Sequence, residues 1–531
     1  VQCPGQRHVS SVVVGRVERS TRTGVARTRD YTRSRPCARG IRFLGGITIS
    51  TTQQRSGARD RFDRYFEITK RGSTLGREVR GGVVTFVTMA YIVILNPLIL
   101  GGFSADQASL DVEGGWLENA QVSAATGLTA GVMTILFGLV ARLPFGIAAG
   151  LGINSFLAVS VVGQVTWPEA MGLVVINGLI IVLLATTGLR TLIFEAVPHQ
   201  LKTAITVGIG LFIAFIGLVD AGFVRQTDSP SSPLELGNGG SVTTVPTLTF
   251  LLGMVIIGVL MARKVKGALL IGMVVTTVIA VIAEAVFKLG PAFQNADGWS
   301  LNAPVIPSAI FALPDFGLVG AFSFGAFERI GVLSAVMIVF TLVFTNFFDA
   351  MGTMTGLAKG AGLADERGNF PRLKSALIIE GVGAVAGGGT SSSSNTVFID
   401  SAAGIGEGAR TGFASVITGA LFLLSMFVTP LTQIVPLEVA AAALVIVGVL
   451  MVSQIKDIDW SEFSVALPVF LTVIVMPLTY SIANGIGVGF VSWVVVRSLS
   501  GKAREISPLL WIVAVGFLVY FTRGPIEALI G

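Results

Sequence analysis

Apolar residues come in blocks of membrane-helix length. Seven runs fall at 82–102, 122–141, 146–162, 168–188, 201–219, 247–262 and 267–287, and eight more at 332–356, 375–390, 395–407, 411–429, 436–453, 463–479, 483–498 and 508–523. Most approach the ~20 residues that cross a hydrocarbon core, far beyond the ~10 of a membrane β-strand. The pattern predicts an all-α polytopic membrane protein and argues against a β-barrel. Two runs, 146–162 and 395–407, are short and interrupted by Gly or Ser. Pro468 and Pro477 make 463–479 a candidate broken or interfacial helix. Discounting one run leaves an expectation of fourteen spans.

The two sets of runs resemble each other. AVPHQLKTAITVGIGLF at 196–212 parallels IVPLEVAAAALVIVGVL at 434–450, with Pro198 on Pro436 and Gly210 on Gly448. EAMGLVVINGLIIVLLA at 169–185 parallels ARTGFASVITGALFLLS at 409–425, with Gly172 on Gly412. The short interrupted runs precede these blocks at matching places. Seven spans per unit would give the halves opposite orientations, an inverted repeat whose paired short segments point to a midplane binding site. The expected division is a tail at 1–65, a first seven-helix repeat at 66–290, an extracytoplasmic loop at 291–331 and a second seven-helix repeat at 332–531.

Composition agrees: 52% of residues are hydrophobic, only 13% are charged, and mean hydropathy is +0.78. Soluble domains carry about 25% charged residues. The net charge of +6 comes from an Arg-rich start (Arg16, Arg19, Arg22, Arg27, Arg29, Arg33, Arg35, Arg39 and Arg42). That tail has no sustained apolar periodicity and no signal-peptide core. It is expected to be disordered and an over-extended start; contact with lipid headgroups or nucleic acid is the rival reading, and no nucleic-acid partner is expected. Both cysteines, Cys3 and Cys37, lie in the tail, and the two histidines are His8 and His199. A zinc site or histidine relay is therefore not expected, and no cofactor beyond a coupling proton. Basic residues at Arg71, Arg77, Arg80, Arg142, Arg190, Lys202, Arg263, Lys264, Lys266, Lys359, Arg367, Arg372 and Lys374, set against acidic Asp106, Asp111, Glu113 and Glu118, place the N-terminus in the cytoplasm.

Candidate chemistry gathers in three segments. GIAAGLGINSFLAV at 146–159 carries Gly150, Gly152 and Asn154. TNFFDAMGTMTG at 345–356 carries Asp349. GGGTSSSSNTVFIDSAAG at 387–404 carries Ser393, Ser394, Thr396 and Asp400. A lone carboxylate in hydrocarbon costs several kcal/mol, so intramembrane acids mark a substrate or ion path. The Gly and Ser positions suit extended backbone leading into short half-helices, which is tolerated at membrane depth only around a cavity. Free N–H groups there, with the amide of Asn154 and a carboxyl, match a planar ligand of alternating ring N, N–H and C=O groups. A nucleobase is such a ligand and a sugar is not. Asp349, Asp400 and Glu380 are the candidate proton-coupling acids. The rival role for each is a helix-packing hydrogen bond, which is the expected role of Glu284; Asn177 and the serine tract could also serve as packing contacts.

RGGVVTFVTMAYIVILNPLIL at 80–100, GLGINSF at 150–156, FFDAMGT at 347–353 and FIDSAAGIGEGARTG at 398–412 resemble, in order, the motifs of the AzgA-like purine (adenine/guanine/hypoxanthine) permeases of the nucleobase–cation symporter-2 family. The resemblance covers about residues 66–525. It implies a UraA-like fold of fourteen helices in a seven-plus-seven inverted repeat, with core and gate domains and elevator-like alternating access. It also implies proton-coupled purine uptake across a multi-pass cell membrane, in a bacterium the inner membrane, with Asn154, Asp349 and the acid at 400 as the purine and proton site. A homodimer is a candidate assembly. The family acid before SAAG is typically Glu and is here Asp400, one methylene shorter. The Gln-Asn-x-Gly motif of the sister xanthine/uracil branch is not apparent.

The rivals are a same-fold carrier of a pyrimidine base or an anion, and a non-transporting membrane sensor. Two acids, with no Arg or Lys in the three segments, oppose an anion. A sensor would need an output domain, which neither end holds. No metal cluster, phosphate loop or nucleophile–His pair supports an enzyme.

Overall fold

The computed structural model describes residues 58–103, 109–188, 197–227, 233–307, 309–364 and 370–522. The tail expected at 1–65 lies outside it up to residue 57, as do Asp106, Arg190 and Arg367 of the orientation argument.

The fold is helical. The first half comprises α1 (Leu75–Met89), α2 (Ile92–Leu100), α3 (Asn119–Val140), β1 (Ile147–Ala149), α4 (Leu151–Phe156), α5 (Trp167–Thr187), α6 (His199–Asp220), α7 (Val245–Ala262) and α8 (Ala268–Phe287). The second comprises α9 (Gly331–Gly360), α10 (Leu373–Gly389), β2 (Asn395–Val397), α11 (Ser401–Gly406), α12 (Gly412–Ser425), α13 (Leu437–Val452), α14 (Phe463–Leu478), α15 (Ile482–Arg497) and α16 (Pro508–Phe521). Ten helices among the described residues are long and apolar enough to cross a membrane. Helices α4, α14 and α16 are shorter, so length alone does not yield the expected count of fourteen.

Local chemistry places the ends. Thr166 caps α5 in a capping box with Glu169, and Gly188 at φ 78° ends it in the left-handed region. Glu169 also takes the Arg329 Nε at 2.7 Å, pinning the entry to α9 against the start of α5. The helix expected to break at Pro468 and Pro477 is continuous from Phe463 to Leu478. Each proline removes one backbone bond, and packing of α14 between α6 and α15 holds the helix together. Glu284 accepts from Gly290 N at 3.1 Å and from Trp299 Nε1 at 2.9 Å, closing the turn after α8.

The halves interlock. Helix α5 packs on α10 and α12 on α3, while α14 packs on α6 and α7 on α13. Two elements meet their own counterparts: α6 packs on α13, and β1 pairs antiparallel with β2. Gly210 and Gly448, aligned in the sequence repeat, touch across the α6–α13 crossing. A Cβ on Gly210 would sit 2.9 Å from the Gly448 carbonyl oxygen. Two groups of helices result: α1–α5 with α9–α12, and α6–α8 with α13–α16.

Candidate functional site

The two interrupted runs meet at the centre of the first group. Ile147 pairs with Val397, Ala148 with Thr396 and Ala149 with Asn395. Gly150 N donates to Ser394 O at 2.9 Å and Phe398 N to Gly146 O at 3.0 Å, extending the crossing at both ends. Both strands are wholly buried, and each leads into a six-residue helix. Mutual pairing satisfies the backbone that a membrane interior leaves without water.

A cavity of about 520 Å³ lies between the two helix groups, within the range for small-molecule sites. The first group contributes Tyr91, Gly150 to Ile153, Thr345, Phe348, Asp349, Gly352, Thr353, Gly356 and Thr396 to Asp400. The second contributes Thr206, Ile209, Ile213, Val447, Leu450, Met451, Gln454 and Asp457. The lining thus holds three carboxyls (Asp349, Asp400 and Asp457), three aromatic rings (Tyr91, Phe348 and Phe398) and no Lys or Arg among the described residues. The cavity reaches the ends of α9 and α13, next to Lys359 and Lys456. A second cavity of about 350 Å³ shares Asp400 and Leu450 and runs toward Lys264 and Lys266. Lys266 is itself paired with Glu407, which also takes Arg80 at 2.7 Å.

Of the residues expected from sequence, Gly152, Asp349, Thr396 and Asp400 line the main cavity together. Asn154, Ser393, Ser394 and Glu380 do not; all four are buried behind it. The Asn154 amide donates to Asn96 Oδ1, and Asn96 donates to Thr126 Oγ1 at 2.7 Å and to Ser392 O at 3.1 Å. Asn154 thus ties α4 to α2, α3 and the serine tract. Ser394 Oγ accepts from Asn346 Nδ2 at 3.1 Å. Ser391 and Ser393 hold left-handed backbone, φ 58° and 68°, and Asn395 Nδ2 grips the Ser393 carbonyl at 3.1 Å. The serine tract is a braced turn that delivers β2 to the crossing. Glu380 is fully buried on α10.

Sequence reasoning missed Tyr91, Phe348, Phe398 and Asp457 on the wall. Tyr91 and Phe348 stand in segments already quoted for other residues, and their aromatic character was the available signal.

A permease-family model (Xan_ur_permease) matches residues 76–488. The chain is 38% identical over 460 residues to the guanine/hypoxanthine permease PbuG of Bacillus subtilis (strain 168), covering 86% of this chain and 98% of that one. It is 36% identical over 470 residues to the adenine permease AdeP of Escherichia coli (strain K12), with coverage of 88% and 97%. Among solved structures, the transmembrane domain of a cyanobacterium bicarbonate transporter, BicA, matches with TM-score 0.55 at 16% identity, over 77% of this chain and 97% of that one. SLC26A9 matches with TM-score 0.56 at 11% identity, over 88% and 73%. At these identities the structural likeness is one of fold.

Proposed function

We propose that this chain, which belongs to the permease family, is a secondary active transporter of purine nucleobases. The carrying observation is the cavity between the two helix groups. Its aromatic walls suit the faces of a planar ring, and its carboxyls suit the N–H groups on the ring's edge. Relatives at 36–38% identity are named as adenine and guanine/hypoxanthine permeases. An anion carrier fits less well. BicA and SLC26A9 share the fold, but three carboxyls and, among the described residues, no basic side chain in the main cavity oppose an anion.

Proton symport is proposed to run through Asp349 and Asp400. Each can accept from a base N–H when charged, or donate to a ring nitrogen when protonated. Glu380, buried on α10, is proposed as a third acid on the path. The group carrying α4, α9 and α11 moves against the group carrying α6 and α13, taking the bound base with it. The end of the cavity beside Lys359 and Lys456 is the cytoplasmic one by the positive-inside rule, so this conformation faces inward. The same rule puts the N-terminus in the cytoplasm, and a bacterial inner membrane is the proposed location. Residues 66–290 and 332–531 are proposed as the seven-helix repeats of a fourteen-span fold, joined by an extracytoplasmic loop at 291–331.

Proteoliposomes with and without an inward proton gradient, supplied with labelled adenine, guanine or hypoxanthine, test the reading. Gradient-driven accumulation of one base is expected. Absence of saturable uptake of every base by folded protein would overturn it.

A further inference from the structure

Within the first membrane span, Leu75–Leu100, two assigned helices are separated by Ala90 and Tyr91, whose backbone stays right-handed helical, and a polar group of this pair lies against the site. Helix α1 ends at Met89 and α2 begins at Ile92. Pro97 has no N–H for the Val93 carbonyl, which Ser123 Oγ reaches instead at 3.4 Å. Asn119 Nδ2 holds the Pro97 carbonyl at 3.0 Å. At this junction of the two helices stands Tyr91, 2% exposed and on the cavity wall. Its hydroxyl donates to Asp400 Oδ2 at 3.3 Å. One turn earlier, Thr88 Oγ1 lies 3.2 Å from the Asp400 carbonyl, but its single proton has nearer acceptors in its own helix, the Thr85 carbonyl at 2.9 Å and the Val84 carbonyl at 3.0 Å. The first span therefore holds the Asp400 carboxylate through the Tyr91 hydroxyl.

We propose that Tyr91 is a positioning residue for the substrate. Its hydroxyl fixes the Asp400 carboxylate in the orientation that meets the base, and so sets affinity; this rests on the nucleobase reading above. The phenol gives its one proton to the carboxylate and keeps lone pairs that can accept a base N–H. A buried phenol needs a partner, and a carboxylate held on one oxygen presents the other.

The test is Tyr91→Phe, which keeps the ring and removes the hydroxyl. KM for the transported base should rise about tenfold, as expected for a lost hydrogen bond to a charged group. The kcat should stay within about twofold, because the altered interaction serves binding. A double-mutant cycle separates positioning from packing. In the Asp400→Asn background, Tyr91→Phe should change the base Kd, read by base-induced thermal shift of purified protein, by less than about twofold. An unchanged KM in Tyr91→Phe, or an equal effect in both backgrounds, overturns the inference. Wild-type protein that neither binds nor takes up a purine base overturns the functional reading and this inference together. Wild-type uptake with an unaltered variant overturns the role of Tyr91 alone.

Discussion

The two half-helices of the site share one backbone plan and differ in what they offer a ligand. One residue, Gly150, separates β1 from α4, while three separate β2 from α11. Leu151, Gly152 and Ile153, the first residues of α4, line the cavity. At α11, Ser401, Ala402 and Ala403 donate back to Phe398, Ile399 and Asp400. What α11 brings is the Asp400 carboxyl. The polar side chains of α4, Asn154 and Ser155, are buried away from the cavity, Asn154 on Asn96. Of the two interrupted segments, one thus brings a carboxyl to the cavity and the other does not.

Substitution should break this comparison unevenly. Asp349→Asn should abolish accumulation, and Asp400→Asn should lower kcat/KM about a hundredfold, the upper range for a charge-assisted hydrogen bond. Asn154→Ala should lower kcat/KM only about fivefold, but cost about 1–3 kcal/mol of stability by leaving the buried Asn96 oxygen without its donor. Uptake kinetics beside denaturation midpoints would show it. Equal kinetic losses at 154 and 400 would contradict that difference, and full retention of uptake in Asp349→Asn would remove that acid from the mechanism.

Glycines sharpen the comparison at intermediate scale. A Cβ on Gly152 would meet Ile209 Cγ2 at 2.8 Å, across the boundary between the two helix groups. A Cβ on Gly404 would collide with the Gly81 backbone and Thr85, inside one group. Overpacking typically costs about 1–3 kcal/mol. Gly152→Ala should therefore slow transport with little change in the thermal midpoint, and Gly404→Ala should lower the midpoint. The reverse pattern would mean that the group boundary is not where motion occurs.

The smallest effect belongs to an acid away from the site. The Glu462 carboxyl is held down to about 2, first by the hydrogen bond from Lys502, then by Ser464 and the Arg497 charge. A depressed carboxyl contributes stability that is present above its unfolded value near 4.5 and lost as pH falls toward about 2. Glu462→Gln should flatten the acid limb of a stability–pH curve and leave base affinity unaltered. A shifted KM would tie this surface cluster to the site.

Membrane class, the helical runs, the two interrupted segments and the acids at 349 and 400 were legible in the residues themselves. The solvent is the reason: hydrocarbon forces backbone polar groups to pair locally, so run length and polarity report the fold directly. Gly210 and Gly448 were legible as repeat partners, although only the folded chain shows them touching. Tertiary structure alone decided which polar groups face the cavity. Asn154 is withdrawn from the cavity because Asn96, 58 residues away, takes its amide. Tyr91 enters the site because the β1–β2 crossing brings it against Asp400, 309 residues on. Facing is set by contacts between segments far apart in the chain, and neither periodicity nor composition carries that information.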